Sequence, residues 1–185
     1  MKICIISDSH DNRALLATAV NDAKNRGAEL VLHCGDVIAP TTLRCLPPIG
    51  LPVHVIHGNN TGDLVAIHYV MKAYPDIIHY HGQDATLALG GKRIFMVHYP
   101  HYARAMALTG DYDLVCCGHD HNVMIEHFKN VKDTTTACVN PGTVGGIGKE
   151  PTYIMGDLAS MEFEIIPVTT EDTLIKNTDH LTLHV

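Results

Sequence analysis

The sequence predicts an α/β protein, a layered sandwich of two mixed sheets with helices outside, and three observations carry that expectation. Short apolar runs alternate with helical patterns through the first third of the chain, the grammar of βαβ units. From residue 77 onward the runs are separated by tight turns instead, which is how hairpins read. Five of the apolar runs end in an oxygen or nitrogen donor, as strands do when they deliver side chains to one edge of a sheet.

Element by element, Lys2-Ile3-Cys4-Ile5-Ile6 reads as a strand near 2–7 that runs into Asp8-Ser9-His10. A helix follows near 12–26, because Leu15, Leu16, Ala19, Val20 and Ala23 recur at helical spacing; Asp11 or Asn12 can cap it and Gly27 can stop it. Strands near 29–34 and 53–57 flank a short helix near 41–46, and residues 60–75 read as a loop. Strands near 77–81, 85–89 and 93–98 come next, the last two joined by Gly90-Gly91, then a helix near 101–109 and a strand at 113–117. The remainder reads as strands at 123–127, 135–139, 152–158 and 161–167, with Asp157-Leu158-Ala159-Ser160 as a hairpin connection. After Thr169 a weak alternation reads as an edge strand or a frayed end of one domain covering residues 1–185.

Composition narrows the function classes. A chain of 185 residues, 46% hydrophobic and 18% charged, suits one packed core and leaves no long tract unable to offset its chain entropy. The formal charge of −7 argues against a nucleic-acid duplex as partner, since such proteins carry a basic stripe. No 18-residue apolar span is present, and Asp8 interrupts the opening apolar run, so neither a membrane partner nor a leader is expected and the protein reads as cytoplasmic. Six cysteines without a CxxC pair read as buried free thiols.

The donors at the strand ends are, in order, Asp8 and His10, Asp36, Asn59, His98, and then His119 and His121. Asp-x-His alone says little, because polar pairs end strands everywhere; the ordered set is what points to a metal. Carboxyl ends of neighbouring strands converge on one crevice, so these side chains become neighbours in space. Seven oxygen and nitrogen donors exceed one ion's shell once water is counted, whereas two ions sharing a carboxylate use them all. Other histidines, His54, His68, His79, His81, His127, His180 and His184, read as strand or surface residues, and His33 as outer support for the ligands. Asn59 has a turn reading as well, since Asn59-Asn60-Thr61-Gly62 is good turn chemistry.

Asp8-Ser9-His10, Gly35-Asp36, Gly58-Asn59, His98 and Gly118-His119-Asp120-His121 resemble, in order, the block motifs of calcineurin-like metallophosphoesterases. The likeness spans about residues 1–146, and Asn140-Pro141-Gly142 matches the ending of the small single-domain phosphodiesterases of bacteria and archaea. The resemblance implies a four-layer α/β/β/α sandwich and two divalent ions bridged by Asp36, one also held by Asp8, His10 and His121, the other by Asn59, His98 and His119. Imidazoles suit Mn, Fe, Ni or Zn better than Mg, with Mn placed first. A metal-bridging hydroxide would attack the phosphorus of a small phosphodiester substrate, and a homo-oligomer, dimer or higher, is expected by the same likeness. The protein-phosphatase branch carries His after Gly-Asn, where this chain has Asn60. Asn60 can hold a phosphoryl oxygen but is no general acid at neutral pH, which shifts the expected chemistry from monoesters to diesters. His101 is the first candidate for the leaving-group proton, followed by His57 and His33. A phosphomonoesterase, or a scaffold that lost the chemistry as the resembling retromer subunit is thought to have done, are the competing functions; the complete donor set argues against the scaffold.

Overall fold

The computed structural model describes residues 1–169, so the alternation of the tail lies outside the described residues. The first sheet contains β1 (Lys2–Ile6), β2 (Leu30–His33), β3 (Val53–Val55), β4 (Ile78–Tyr80), β10 (Thr152–Asp157) and β11 (Glu162–Pro167), in the spatial order β11-β10-β1-β2-β3-β4. The second contains β5 (Asp84–Leu89), β6 (Lys92–Val97), β7 (Leu114–Cys116), β8 (Val123–Lys129) and β9 (Thr135–Pro141), in the order β5-β6-β7-β9-β8. Strands β1 to β4 run parallel, as do β6, β7 and β9, while β10, β11, β5 and β8 add antiparallel neighbours. Both sheets are therefore mixed, as expected.

Three apolar layers hold the sandwich together. Helix α1 (Arg13–Asn25) buries Leu16, Ala19, Val20 and Ala23 against Cys4, Ile6, Val31 and Val53 on the outer face of the first sheet. Between the sheets, Ile3, Ile5, Leu32 and Ile56 meet Ile94, Met96, Leu114 and Val139. Helix α3 (Pro100–Leu108) covers the outer face of the second sheet, packing Ala103 and Ala107 on Val97, Val115 and Cys138. The alternation of β6 shows the logic of a two-faced strand, with Ile94 and Met96 inward and Phe95 and Val97 toward α3.

The local signals behaved as their chemistry requires. Of the two candidate caps, Asn12 is the one whose side chain accepts from the Leu15 N–H, and Gly27 takes the positive φ of 92° that ends the helix. The short helix before β3 is a 3₁₀ turn over Pro40–Cys45. One element departs from the sequence reading. Residues 60–75 contain a helix, α2 (Leu64–Ala73), capped by Asp63, whose side chain accepts from the Val65 and Ala66 N–H groups. Because β4 lies parallel to β3 rather than in a hairpin, the chain needs a crossover between them, and α2 supplies it by burying Ile67 and Val70. All six cysteines are free, five of them buried. Among the described residues no helix is long and apolar enough to cross a membrane.

Candidate metal centre

Parallel pairing places the carboxyl ends of β1, β2, β3, β6 and β7 on one edge, and the chain turns sharply at each of them. Asp8, His10, Asp36, His119 and His121 all have left-handed backbones, with φ of 54°, 42°, 55°, 77° and 56°. Such conformations cost side-chain-bearing residues free energy and persist only where neighbours enforce them, which is why they cluster at functional sites. The enforcement is visible: the Asp8 N–H donates to Gly35 O, His10 N–H to Asp36 O, and Gly118 N–H to His98 O, at 3.0, 3.0 and 2.9 Å. The glycine-rich segment after β9 closes the frame, with Val144 N–H donating to Ser7 O and Thr143 Oγ1 to Asp8 O.

Side-chain orientation follows from backbone carbonyls. His98 Nδ1 lies 2.8 Å from Cys34 O, and His121 Nδ1 lies 2.8 Å from Ile147 O. A carbonyl only accepts, so each ring donates from Nδ1, and in the neutral ring Nε2 carries a lone pair. Those lone pairs point at carboxylate and amide oxygens and, for His121, at the His10 ring. His121 Nε2 faces Asp8 Oδ1 at 3.3 Å and His10 Nε2 at 3.2 Å; His98 Nε2 faces Asp36 Oδ1 at 3.3 Å and Asn59 Oδ1 at 3.1 Å. His10 Nε2 stands 3.7 Å from both Asp8 Oδ1 and Asp36 Oδ2, and His119 Nδ1 lies 2.8 Å from Asn59 Oδ1. Buried Asp8 Oδ1 has no hydrogen-bond donor among the described residues.

Acceptors gathered around acceptors make a poor protein interior and a good cation shell. The residues present thus fit divalent metal, in two overlapping groups, Asp8 with His10 and His121, and Asp8 with Asp36 and His98. Asp36 reaches both, its Oδ2 toward His10 and its Oδ1 toward His98. Exposure is graded: Asp8, Asp36 and His98 form a buried floor, His10 and His121 are half-buried, and Asn59, Asn60 and His119 form an exposed rim. Burial pushes the Asp8 carboxyl above its ordinary range.

The remaining candidates fall into distinct places. Asn60 grips Asp36 twice, its backbone N–H donating to Oδ1 at 2.9 Å and its amide Nδ2 to Oδ2 at 2.6 Å. His33 is fully buried and pushed down to about 3 by burial; its Nδ1 accepts from the Gly35 N–H, which leaves Nε2 to donate to Ser9 Oγ at 3.0 Å. It therefore braces the β1 and β2 turns, the outer support its position suggested. His57 Nδ1 is hydrogen-bonded to the Tyr80 hydroxyl at 2.5 Å. His101 is exposed on the first turn of α3, its ring near those of Tyr99 and Tyr102. Two of the histidines read as strand residues, His54 and His81, hydrogen-bond each other at 2.8 Å.

Sequence reasoning passed over Tyr99, whereas the glycine-rich segment 142–148 reads in the sequence as a close-approach loop beside the metals, and it does lie against the Asp8 turn. The Tyr99 ring lies 4.8 Å from His119 and 5.4 Å from His98, centroid to centroid. Its signal was adjacency to His98 ahead of a proline that starts a helix. Thr143 acts through its hydroxyl, which donates to Asp8 O, and Ile147 through its carbonyl, which a side-chain inventory does not register.

The comparisons agree with this geometry. The model of the calcineurin-like phosphoesterase superfamily domain matches residues 1–161. The chain belongs to that superfamily and is a hydrolase of phosphoester bonds. Phosphodiesterase MJ0936 of Methanocaldococcus jannaschii is 27% identical over 150 residues, 79% of this chain and 86% of that protein. Among solved structures, an archaeal phosphodiesterase superposes with a TM-score of 0.80 at 24% identity, covering 90% of this chain and 99% of its own. The phosphoesterase Yfce from E. coli superposes at 0.62 with 17% identity, covering 91% and 100%. These two likenesses speak for the fold.

Proposed function

We propose that the protein is a phosphodiesterase that works with two divalent ions, one held by Asp8, His10, Asp36 and His121 and the other by Asp36, Asn59, His98 and His119. The observation that carries the reading is the convergence of imidazole nitrogens on the Asp8–Asp36 floor, where buried Asp8 Oδ1 has no hydrogen-bond donor among the described residues. Bound there, such ions supply Lewis acidity toward phosphoryl oxygens and a water acidic enough to lose its proton near neutral pH. Everything else is the work of this chain. Asp36 is shared, so its carboxylate must be fixed, and the two donors of Asn60 fix it. Asn59 contributes a neutral carbonyl oxygen, which leaves more positive charge on that side for the substrate. The exposed rim lets a phosphoryl group reach the floor without opening the fold.

Two arguments favour diesters. Asn60 stands where a general acid would be needed to expel the poor leaving group of a monoester, and Asn supplies none. The similarity to a phosphodiesterase over 79% of the chain points the same way. Mn leads the candidate metals, ahead of Ni, Fe and Zn, because the set mixes carboxylate and amide oxygens, which suit Mn, with its imidazoles. Metal-loaded protein is expected to turn over bis(p-nitrophenyl) phosphate at least about tenfold faster than p-nitrophenyl phosphate, and to lose both activities on chelation. Chelator-resistant turnover, or a preference for the monoester, would overturn the reading.

A further inference from the structure

Beside the donor cluster, between α3 and the β5–β6 edge of the second sheet, runs a groove of about 340 Å³. His98 and Gly58 line it, so it opens directly onto the His98 side of the floor. Its walls are aromatic and apolar: Phe95 and Val97 from β6, Met106 and Tyr102 from α3, and Tyr99 at the junction. The rings form a path outward from the site, with Tyr99 4.8 Å from His119 and Tyr102 5.9 Å from Tyr99. Tyr102 is 54% exposed at the mouth of the groove, with the His101 ring 4.1 Å away, centroid to centroid. Among the described residues no Lys or Arg lines the groove, and its one carboxylate is Asp84, at the start of the edge strand β5.

We propose that this groove seats one organic arm of the substrate, and that the arm is an uncharged aromatic group, with Tyr99 and Tyr102 as its stacking faces and Asp84 as the charge filter. The inference rests on the phosphodiesterase reading and adds the substrate class. A groove of this volume and lining is typical of small-molecule sites, where apolar walls carry the affinity and a few polar groups set selectivity. Planar rings stack on tyrosine faces with a gain that alkyl groups do not match. A second phosphate or a carboxylate on the arm would meet Asp84, with no Lys or Arg among the described lining residues to offset the repulsion.

The test compares phosphonates, whose C–P bonds the enzyme cannot hydrolyse, by calorimetric titration of the metal-loaded protein. Phenylphosphonate is expected to bind about tenfold more tightly than methylphosphonate, and 4-carboxyphenylphosphonate more weakly than phenylphosphonate. Tyr102→Ala should close the phenyl–methyl gap while Tyr102→Phe keeps it, and Asp84→Asn should restore the carboxylated ligand. Equal phenyl and methyl affinities in the wild type, or a gap that survives Tyr102→Ala, would overturn the proposal. Chelator-sensitive hydrolysis of bis(p-nitrophenyl) phosphate, measured on the same preparation, separates the two failures. Turnover without a phenyl–methyl gap removes the groove alone, and absence of turnover removes the phosphodiesterase reading and the groove with it.

Discussion

A methyl group at Gly58 would overlap Asp36 Oδ1 and stand 2.6 Å from His98 Nε2, so the smallest side chain fills the space the ions need. Gly58→Ala is therefore expected to cost about 1–3 kcal/mol by overpacking and to weaken metal binding at the His98 side, read by thermal melts and metal titration. Asp8 responds in the opposite sense. Burial raises its folded pKa above its unfolded value, so its native state prefers the proton: the contribution is favourable below the ordinary carboxylate range and is lost as pH rises through the raised value. Ionising this buried carboxyl in metal-free protein is thus unfavourable to the fold. Asp8→Asn should raise the melting temperature of the metal-free protein at pH 7 and remove the gain that divalent ions give the wild type. A lower melting temperature would show that the carboxylate is already satisfied without metal. Both residues were visible in the sequence as parts of Gly-Asn and Asp-x-His, but only the packing shows that glycine is needed for room.

The strand ends are the elements that make the site, and His33 ties two of them together through Ser9 Oγ and the Gly35 N–H. Its folded pKa of about 3 lies below the ordinary histidine value, so its stabilisation is present above pH 6.5 and is lost as pH falls toward 3. Comparing acid unfolding of the wild type with His33→Gln should show a difference of up to about 1.4 kcal/mol per pH unit across that window, with the wild type the steeper. Parallel curves would mean that His33 is charged in the native state. Element by element, the strands of both sheets were legible because alternation and turn residues mark them, as Gly90-Gly91 does between β5 and β6. Helix α2 was not, because Asn59 to Gly62 reads as turn chemistry and Asp63 was not weighed as a cap. With α2 unseen, β4 was assigned to the hairpin half, although its pairing with β3 is parallel.

Across the whole molecule, two sheets built from distant stretches of chain meet at one edge, and the site exists only because they do. His98 of the second sheet donates to Cys34 O of the first, and Gly118, if given a Cβ, would collide with Ser7 Oγ across the same seam. That dependence explains what the sequence could and could not convey. The set of donors was readable as strand endings; the carbonyls that aim His98 and His121, and the grip of Asn60 on Asp36, are backbone and tertiary facts with no side-chain motif. The groove beside Tyr99 is likewise tertiary, since it is bounded by α3 and an edge strand that meet only in the fold. The central claim is that two ions share Asp36, and metal analysis of purified, metal-loaded protein tests it most directly. The account predicts two divalent ions per chain in the wild type and one in His98→Ala, with chelator-sensitive diesterase activity lost in the variant. A wild-type protein that binds no divalent ion, or a His98→Ala protein that keeps both, would contradict it.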